Sequence, residues 1–254
     1  MGNASPNATT DDSGNPQRLA ARLLGVTEIW VGNRALAADI WPRRTARALL
    51  ILLFSTPGYQ LRRDEVLETL WPELSPDAAL NELYKALHAL RRVLEPDLQR
   101  GSSSSYVRVA NETIALVPEL VGEIDVVHFE QARLSQAAGD PRTRLRTAIE
   151  LYSGDFLADD PYSEWPVARR EMLRAGWQNA VLDLAELDLA AGEADASRAA
   201  LTTLLVTDPA QESAHRALIR LFIATGRHDA ARRQYATCVE MLRRELDVEP
   251  DAGT

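Results

Sequence analysis

Asn81, Lys85, His88 and Arg92 recur at i, i+4, i+7 and i+11, so on an α-helix they share one stripe. An amide, an ammonium, an imidazole and a guanidinium on one face suit base reading in a major groove. Asn can pair bidentately with adenine, and Arg or Lys with guanine or phosphate. The opposite stripe holds Leu80, Leu83, Leu87, Leu90 and Leu94, an apolar seam for a core. Taken alone, a polar stripe on an amphipathic helix is only a solvated face, so the neighbouring elements must decide. Arg43, Arg44, Arg62, Arg63, Arg91 and Arg108 are candidates for holding phosphates, a role that positions without reading sequence.

The elements around that helix follow from local signals. From Arg22 to Ile40 the chain is short-patterned and β-prone, with a turn at Gly32-Asn33. After Trp41-Pro42, RRTARALLILLF puts Ala46, Leu49, Leu50 and Leu53 on one helical stripe, and Pro57-Gly58 ends it. A second helix spans about Arg62 to Trp71 before Pro72. Ser75-Pro76-Asp77 then offers an N-cap, a proline at the first helical position and an acid at the positive dipole end. The third helix, the one that carries the polar stripe, runs from about Pro76 to Glu95. QRGSSSS, YVRVA, Asn111-Glu112 and TIALV follow as a connector and a β-hairpin, a wing for the DNA backbone or minor groove.

Beyond residue 124 the pattern is helical with short loops. A period of 34 relates Ala190, Gly192, Asp195 and Ala196 to Ala224, Gly226, Asp229 and Ala230. Residues 178–211 and 212–245 then form two tetratricopeptide-like repeats, with Gly192 and Gly226 at the inter-helix turns. Ser197, Ala231, Tyr235 and Cys238 occupy packing positions. Leu184, Leu187, Leu218, Leu221 and Tyr235 are expected in the repeat core, and Cys238 is expected to be buried and inert. An irregular helix pair over about 125–152 precedes them. Asp159, Asp160 and Glu164, near Trp165, read as a solvated loop rather than a catalytic carboxylate pair.

Composition bounds the rest. The 254 residues carry a net charge of −9, but unevenly along the chain. Residues 18–118 hold 13 basic and 11 acidic side chains, and residues 119–254 hold 15 and 24. An acidic second half would stay off DNA and remain open to protein partners. Residues 1–17 read as a disordered tail. No run of 18 apolar residues suggests a membrane span, and a single cysteine fits a reducing cytoplasm. The chain has no Walker loop, Rossmann glycine fingerprint, HExxH or CxxC, and its four histidines lack metal-ligand spacing. The expectation is a non-enzyme with no cofactor and no metal.

LLGVTEIWVGNRAL, WPRRTARALLILL, RRDEVLETLWPELSPDAALNEL and ALHALRRVLEP, in this order, resemble the OmpR-like winged helix of the Streptomyces antibiotic regulatory protein family. LYSGDFL, YSEWPVARRE, DPAQESAHRALIRLF and RHDAARRQYATCVEMLRRELDVEP resemble the bacterial transcriptional activation domain that follows it there. The implied fold class is mainly α: an N-terminal winged helix of small sheets and three helices at 18–118, then an all-α tetratricopeptide-like domain at 119–254. The implied function is a cytoplasmic, sequence-specific transcriptional activator. Its implied partners are double-stranded promoter DNA, RNA polymerase or its sigma factor, and a second protomer on repeated sites. The chain departs from the family where arginines are expected, at Leu80 and Tyr84, with Glu82 adding a repulsive charge; Asp247 replaces an expected glycine. The competing reading is a tetratricopeptide-type interaction scaffold, or the front end of a larger signalling regulator, with weak or lost DNA binding.

Overall fold

The computed structural model describes residues 16–99, 101–134 and 139–254. The tail expected over residues 1–17 therefore lies almost wholly outside the described residues. Contacts divide the chain into two compact units that do not follow it linearly. One runs to His128 and takes back Tyr152–Arg170; the other comprises Phe129–Leu151 and Glu171–Thr254.

In chain order the first unit contains β1 (Leu19–Arg22), β2 (Glu28–Val31), β3 (Arg34–Ala35), α1 (Arg44–Phe54), β4 (Gln60–Arg62), α2 (Arg63–Leu70) and α3 (Pro76–Leu94). It continues with β5 (Val107–Ala110), β6 (Thr113–Leu116), β7 (Val121–Ile124) and the first turn of α4 (Asp125–Leu134). One sheet has the order β3-β2-β1-β7, in which β7 lies parallel to β1; the other has the order β4-β6-β5. Period-2 alternation buries Leu19 and Ala21 of β1 and Ile29 and Val31 of β2. The expected stripe of α1 is buried, and Ile51 and Phe54 join it. On α3, Leu83, Leu87, Leu90 and Leu94 are buried as the period requires, with Ala79 and Ala86 beside them, while Leu80 is half-buried. Ser75 does sit at the N-cap, but its hydroxyl makes no capping bond. Its carbonyl accepts the Ala79 N–H at 2.8 Å, and Pro76 at the first position fixes the start. The wing turns at Asn111 (φ 49°) and Glu112 (φ 63°). Two consecutive left-handed residues match the twist of a two-residue hairpin.

The second unit contains the rest of α4, then α5 (Pro141–Leu151), α6 (Val167–Ala190, of which it takes the part from Glu171), α7 (Ala194–Thr207), α8 (Glu212–Ala224) and α9 (His228–Leu246). The 34-residue period is carried by the backbone as well as by residue types. Glu193 N–H reaches Asp188 O at 2.8 Å, and Arg227 N–H reaches Phe222 O at 2.7 Å. Both loops turn on a left-handed glycine, Gly192 (φ 83°) and Gly226 (φ 71°). Equivalent small or apolar positions are buried in both repeats: Ala180 and Ala214, Leu184 and Leu218, Leu204 and Cys238. Two expectations are corrected. Leu187 is 36% exposed and lines an open groove with Leu145, Asp183 and Glu186, because α4 and α5 do not form a regular preceding repeat. Tyr235 is 45% exposed, because no helix follows α9 among the described residues to cover its face.

A buried carboxylate closes the first unit. Asp125, 9% exposed, accepts the N–H groups of Leu23 and Leu24 at 2.9 Å and of Val126 at 2.7 Å. Burial pushes its carboxyl up from the ordinary range, and the three backbone donors oppose that rise. On the other side of the same stretch lies the segment after Tyr152. Gly25 N–H reaches Asp155 O, Leu157 N–H reaches Leu23 O and Ala158 N–H reaches Gly25 O, all between 2.9 and 3.0 Å. Gly25 has φ 102°, and a Cβ there would meet Ser153 Oγ at 2.9 Å, so both conformation and space require glycine. Asp125→Ala is expected to cost on the order of 2–5 kcal/mol in urea unfolding, since it orphans the two buried N–H groups that follow β1. A loss under about 0.5 kcal/mol would mean that water replaces the carboxylate without cost.

Candidate nucleic-acid interface

Packing against α1 fixes α3 on its leucine side and leaves the polar stripe outward. Asn81, Lys85, His88 and Arg92 are all exposed on that stripe, and Tyr84 stands among them at 54% exposure. Pro42 and Arg43, just before α1, meet Tyr84, Lys85, His88, Ala89 and Arg92 around one shallow concavity. The structure thus brings Arg43 together with three of the four base-reading candidates. Arg44 is exposed at the first position of α1. Arg62, Arg63 and Arg108 form a separate group on the second sheet. Arg62 ends β4, Arg63 opens α2 and pairs with Glu112 at the wing turn at 2.6 Å, and Arg108 is exposed on β5. Arg91 is the outlier: it is only partly exposed, and its Nε is buried without a hydrogen-bond partner among the described residues.

Several of these cations are engaged within the chain. One Glu82 oxygen accepts Lys85 Nζ at 2.6 Å and the other pairs with Arg43 at 3.2 Å. The Lys85 hydrogen bond is the main force holding the Glu82 carboxyl below its usual range. Arg62 pairs with Asp64 at 3.1 Å, and Arg92 donates to Leu98 O at 3.2 Å. Exposed pairs such as Arg62–Asp64 contribute about 0–1 kcal/mol, so a phosphate oxygen can replace Asp64 at little cost.

Residue types along the chain gave no sign of the groups that position α3. Arg34 on β3 donates from Nη2 to Val93 O at 2.9 Å and Leu94 O at 3.3 Å, placing a cation on the negative end of the helix. Burial lowers its guanidinium pKa, and the Tyr106 hydroxyl opposes that. Glu95 accepts Ser105 N–H at 2.9 Å and the Ser104 hydroxyl, tethering the approach to the wing. Tyr106, 1% exposed, donates to Gln17 O at 2.7 Å, and burial pushes its phenol up to about 12. Partners so distant in sequence leave no periodic trace.

The loop holding Asp159 and Asp160 is a structural strap rather than a merely solvated turn. Asp159 accepts the Thr27 N–H at 3.0 Å and hydroxyl at 2.6 Å, and pairs with Arg47 of α1 at 3.0 Å. Asp160 accepts the Ser163 hydroxyl at 2.7 Å. The acids of this strap also alter the charge argument. Residues 16–128 with 152–170 carry 15 basic and 18 acidic side chains, and the second unit carries 13 and 17. The winged-helix unit is therefore nearly as acidic as the helical one, and its candidate cations stand locally on the α3 face and beside the wing. Among the described residues no cluster of His, Cys, Asp and Glu could hold a metal, and no helix is long and apolar enough to cross a membrane. Cys238 is buried, and that burial raises its thiol pKa, which is the opposite of a reactive thiolate.

Known proteins bear on this arrangement. Residues 124–254 match the family model of the bacterial transcriptional activator domain. Regulatory protein AfsR of Streptomyces coelicolor is 29% identical over 241 residues, covering 91% of this chain and 23% of that protein. Regulatory protein AfsR of Streptomyces griseus is 28% identical over 233 residues, covering 90% and 23%. The chain thus spans about a quarter of the length of these curated relatives. A solved structure of Mycobacterium tuberculosis EmbR in complex with a low affinity phosphopeptide superposes with a TM-score of 0.72. It covers 93% of this chain and 63% of that one at 21% identity, a likeness of fold.

Arg34→Ala is expected to lower stability by about 1–2 kcal/mol, because two carbonyls at the α3 terminus lose a charged donor. Hydrogen exchange should quicken in the last turn of α3 while the strand amides of the wing stay protected. If Arg34→Ala leaves both the urea midpoint and that exchange unchanged, the C-terminal tether has no energetic role.

Proposed function

We propose that this chain, which belongs to the family of the bacterial transcriptional activator domain in its Streptomyces antibiotic regulatory protein-like form, is a sequence-specific DNA-binding activator. In this reading α3 enters the major groove with Asn81, Lys85, His88 and Arg92 toward base edges. Arg43, Arg44, Arg62, Arg63 and Arg108 hold phosphates on either side, and Arg91, partly buried, is the weakest of the six backbone candidates. The observation that carries the reading is the exposed polar stripe on a helix whose other side is packed into a core, beside a separate group of arginines, Arg62, Arg63 and Arg108, at the wing. The helical unit would contact RNA polymerase or its sigma factor. The family supports that role; net charge does not, since both units are acidic. With Leu80 and Tyr84 in place of the expected arginines, a second protomer on a repeated site would supply additional phosphate contacts. The scaffold reading competes, and the same measurements separate the two.

The first measurement is quantitative binding across a salt series, using a duplex that the wild-type chain selects from a random library. Lys85→Ala and Arg92→Ala are expected to cost about 1–3 kcal/mol each and to relax preference at one position. Arg63→Ala and Arg108→Ala are expected to weaken binding to all duplexes alike and to lower the salt slope by about one unit each. Failure of the wild-type chain to select any sequence would move the scaffold reading ahead.

Recruitment is tested with the full chain on immobilised promoter DNA. Retention of RNA polymerase holoenzyme should rise when the chain is bound, and should fall in proportion to the chain retained when Lys85→Ala weakens its binding. Equal retention with and without the chain would remove the recruitment role.

A further inference from the structure

Among the described residues, Glu82 is the acid that pairs with cations around the proposed reading face, and its two oxygens are divided between that face and its flank. Oε1 holds Lys85, the single lysine of the chain, and Oε2 holds Arg43. The carboxylate side chain is 28% exposed and is paired with two of the cations, Arg43 and Lys85, that line the concavity with His88 and Arg92. We infer, on the basis of the DNA-binding reading above, that Glu82 is a specificity-determining residue: it restrains Lys85 from indiscriminate phosphate contact while leaving it free to meet base edges, and it weakens the phosphate contact of Arg43.

The chemistry separates the two kinds of contact. An ammonium has three donors and a guanidinium five. Lys85 can therefore keep Glu82 and still donate to guanine O6 or N7, which are uncharged acceptors. A phosphate is an anion, and its approach sets it against the Glu82 carboxylate as well as toward the cations. At physiological salt, charges interact over about 8 Å, which covers the 2.6 and 3.2 Å pairs and anything seated beside them. Non-specific affinity comes almost entirely from cations that neutralise phosphates. A carboxylate that weakens two of them lowers this background more than it lowers operator binding.

The test compares the wild-type chain with Glu82→Gln and Glu82→Ala on two 30-base-pair probes, a random-sequence duplex pool and a duplex selected from it by the wild-type chain. Both variants are expected to bind the random pool roughly three- to tenfold more tightly. The salt slope on that pool should steepen by up to about 1.8, at about 0.9 per phosphate newly neutralised. Affinity for the selected duplex should rise less, so that discrimination narrows by severalfold. Thermal melting should show both variants folded, since the residue is on the surface. Unchanged slope and unchanged random-pool affinity would overturn the inference while leaving DNA binding intact. Loss of operator affinity alone would also overturn it, making Glu82 a reader of cytosine N4 instead. A wild-type chain that binds neither probe removes the DNA-binding reading and this inference with it.

Discussion

The end of β1 is the constraint on which the first unit depends. Leu23, Leu24 and Gly25 leave the sheet with backbone groups that must be paired once buried, and no neighbour in sequence supplies the partners. Asp125, about a hundred positions on, takes the Leu23 and Leu24 N–H groups from one side. Residues 153–158 take the remaining groups from the other, with the Ser153 hydroxyl donating to the Leu24 carbonyl. A carboxylate is suited to the first task because it is acceptor-only and can receive several N–H groups at once. Its desolvation is the cost, visible in the upward push on its pKa. The winged helix is therefore completed by chain that comes after the wing. The unit boundary falls inside α4 and α6 rather than at a linker for that reason.

The sequence made the periodic parts legible. The leucine seam and polar stripe of α3, the helix of α1, the two-residue wing turn and the 34-residue repeat all rest on rules that act within one or two turns of chain. The repeat is even written in equivalent hydrogen bonds around Gly192 and Gly226. What stayed hidden was set by partners far along the chain. Arg34 on the carbonyls of α3, Asp125 on β1 and Asp159 on Thr27 span 59 to 132 positions. No local pattern encodes such a pair. Leu187 and Tyr235 failed for a related reason: the consensus supplies a packing position, but burial there requires a neighbouring repeat to cover it.

Net charge was a poor guide to the interface for the same topological reason. A boundary drawn along the chain gives a mildly basic front and an acidic back. Contacts place Asp155, Asp159, Asp160 and Glu164 in the front unit, and the contrast disappears. The field that a duplex would meet is decided within about a Debye length of the surface. It therefore depends on where Arg43, Lys85, Arg92, Arg63 and Arg108 stand, and on Glu82 and Glu112 beside them. Asp159, which is spent on Thr27 and Arg47, adds little to it.

The strap gives residues 152–170 a physical route to the polar stripe of α3, the face proposed to meet DNA. Asp159 holds Arg47, Arg47 belongs to α1, and α1 packs on α3, whose buried leucines fix the angle at which Asn81, Lys85, His88 and Arg92 stand. Each link is a direct contact within one compact unit. Side chains in a close-packed core transmit small displacements rather than absorb them. A substitution in this stretch that weakens regulation is thus ambiguous when only transcription is read. The segment lies within the matched activator domain by sequence, but by its contacts it is part of the support of α3. Only DNA affinity measured beside transcription assigns such an effect to one role or the other.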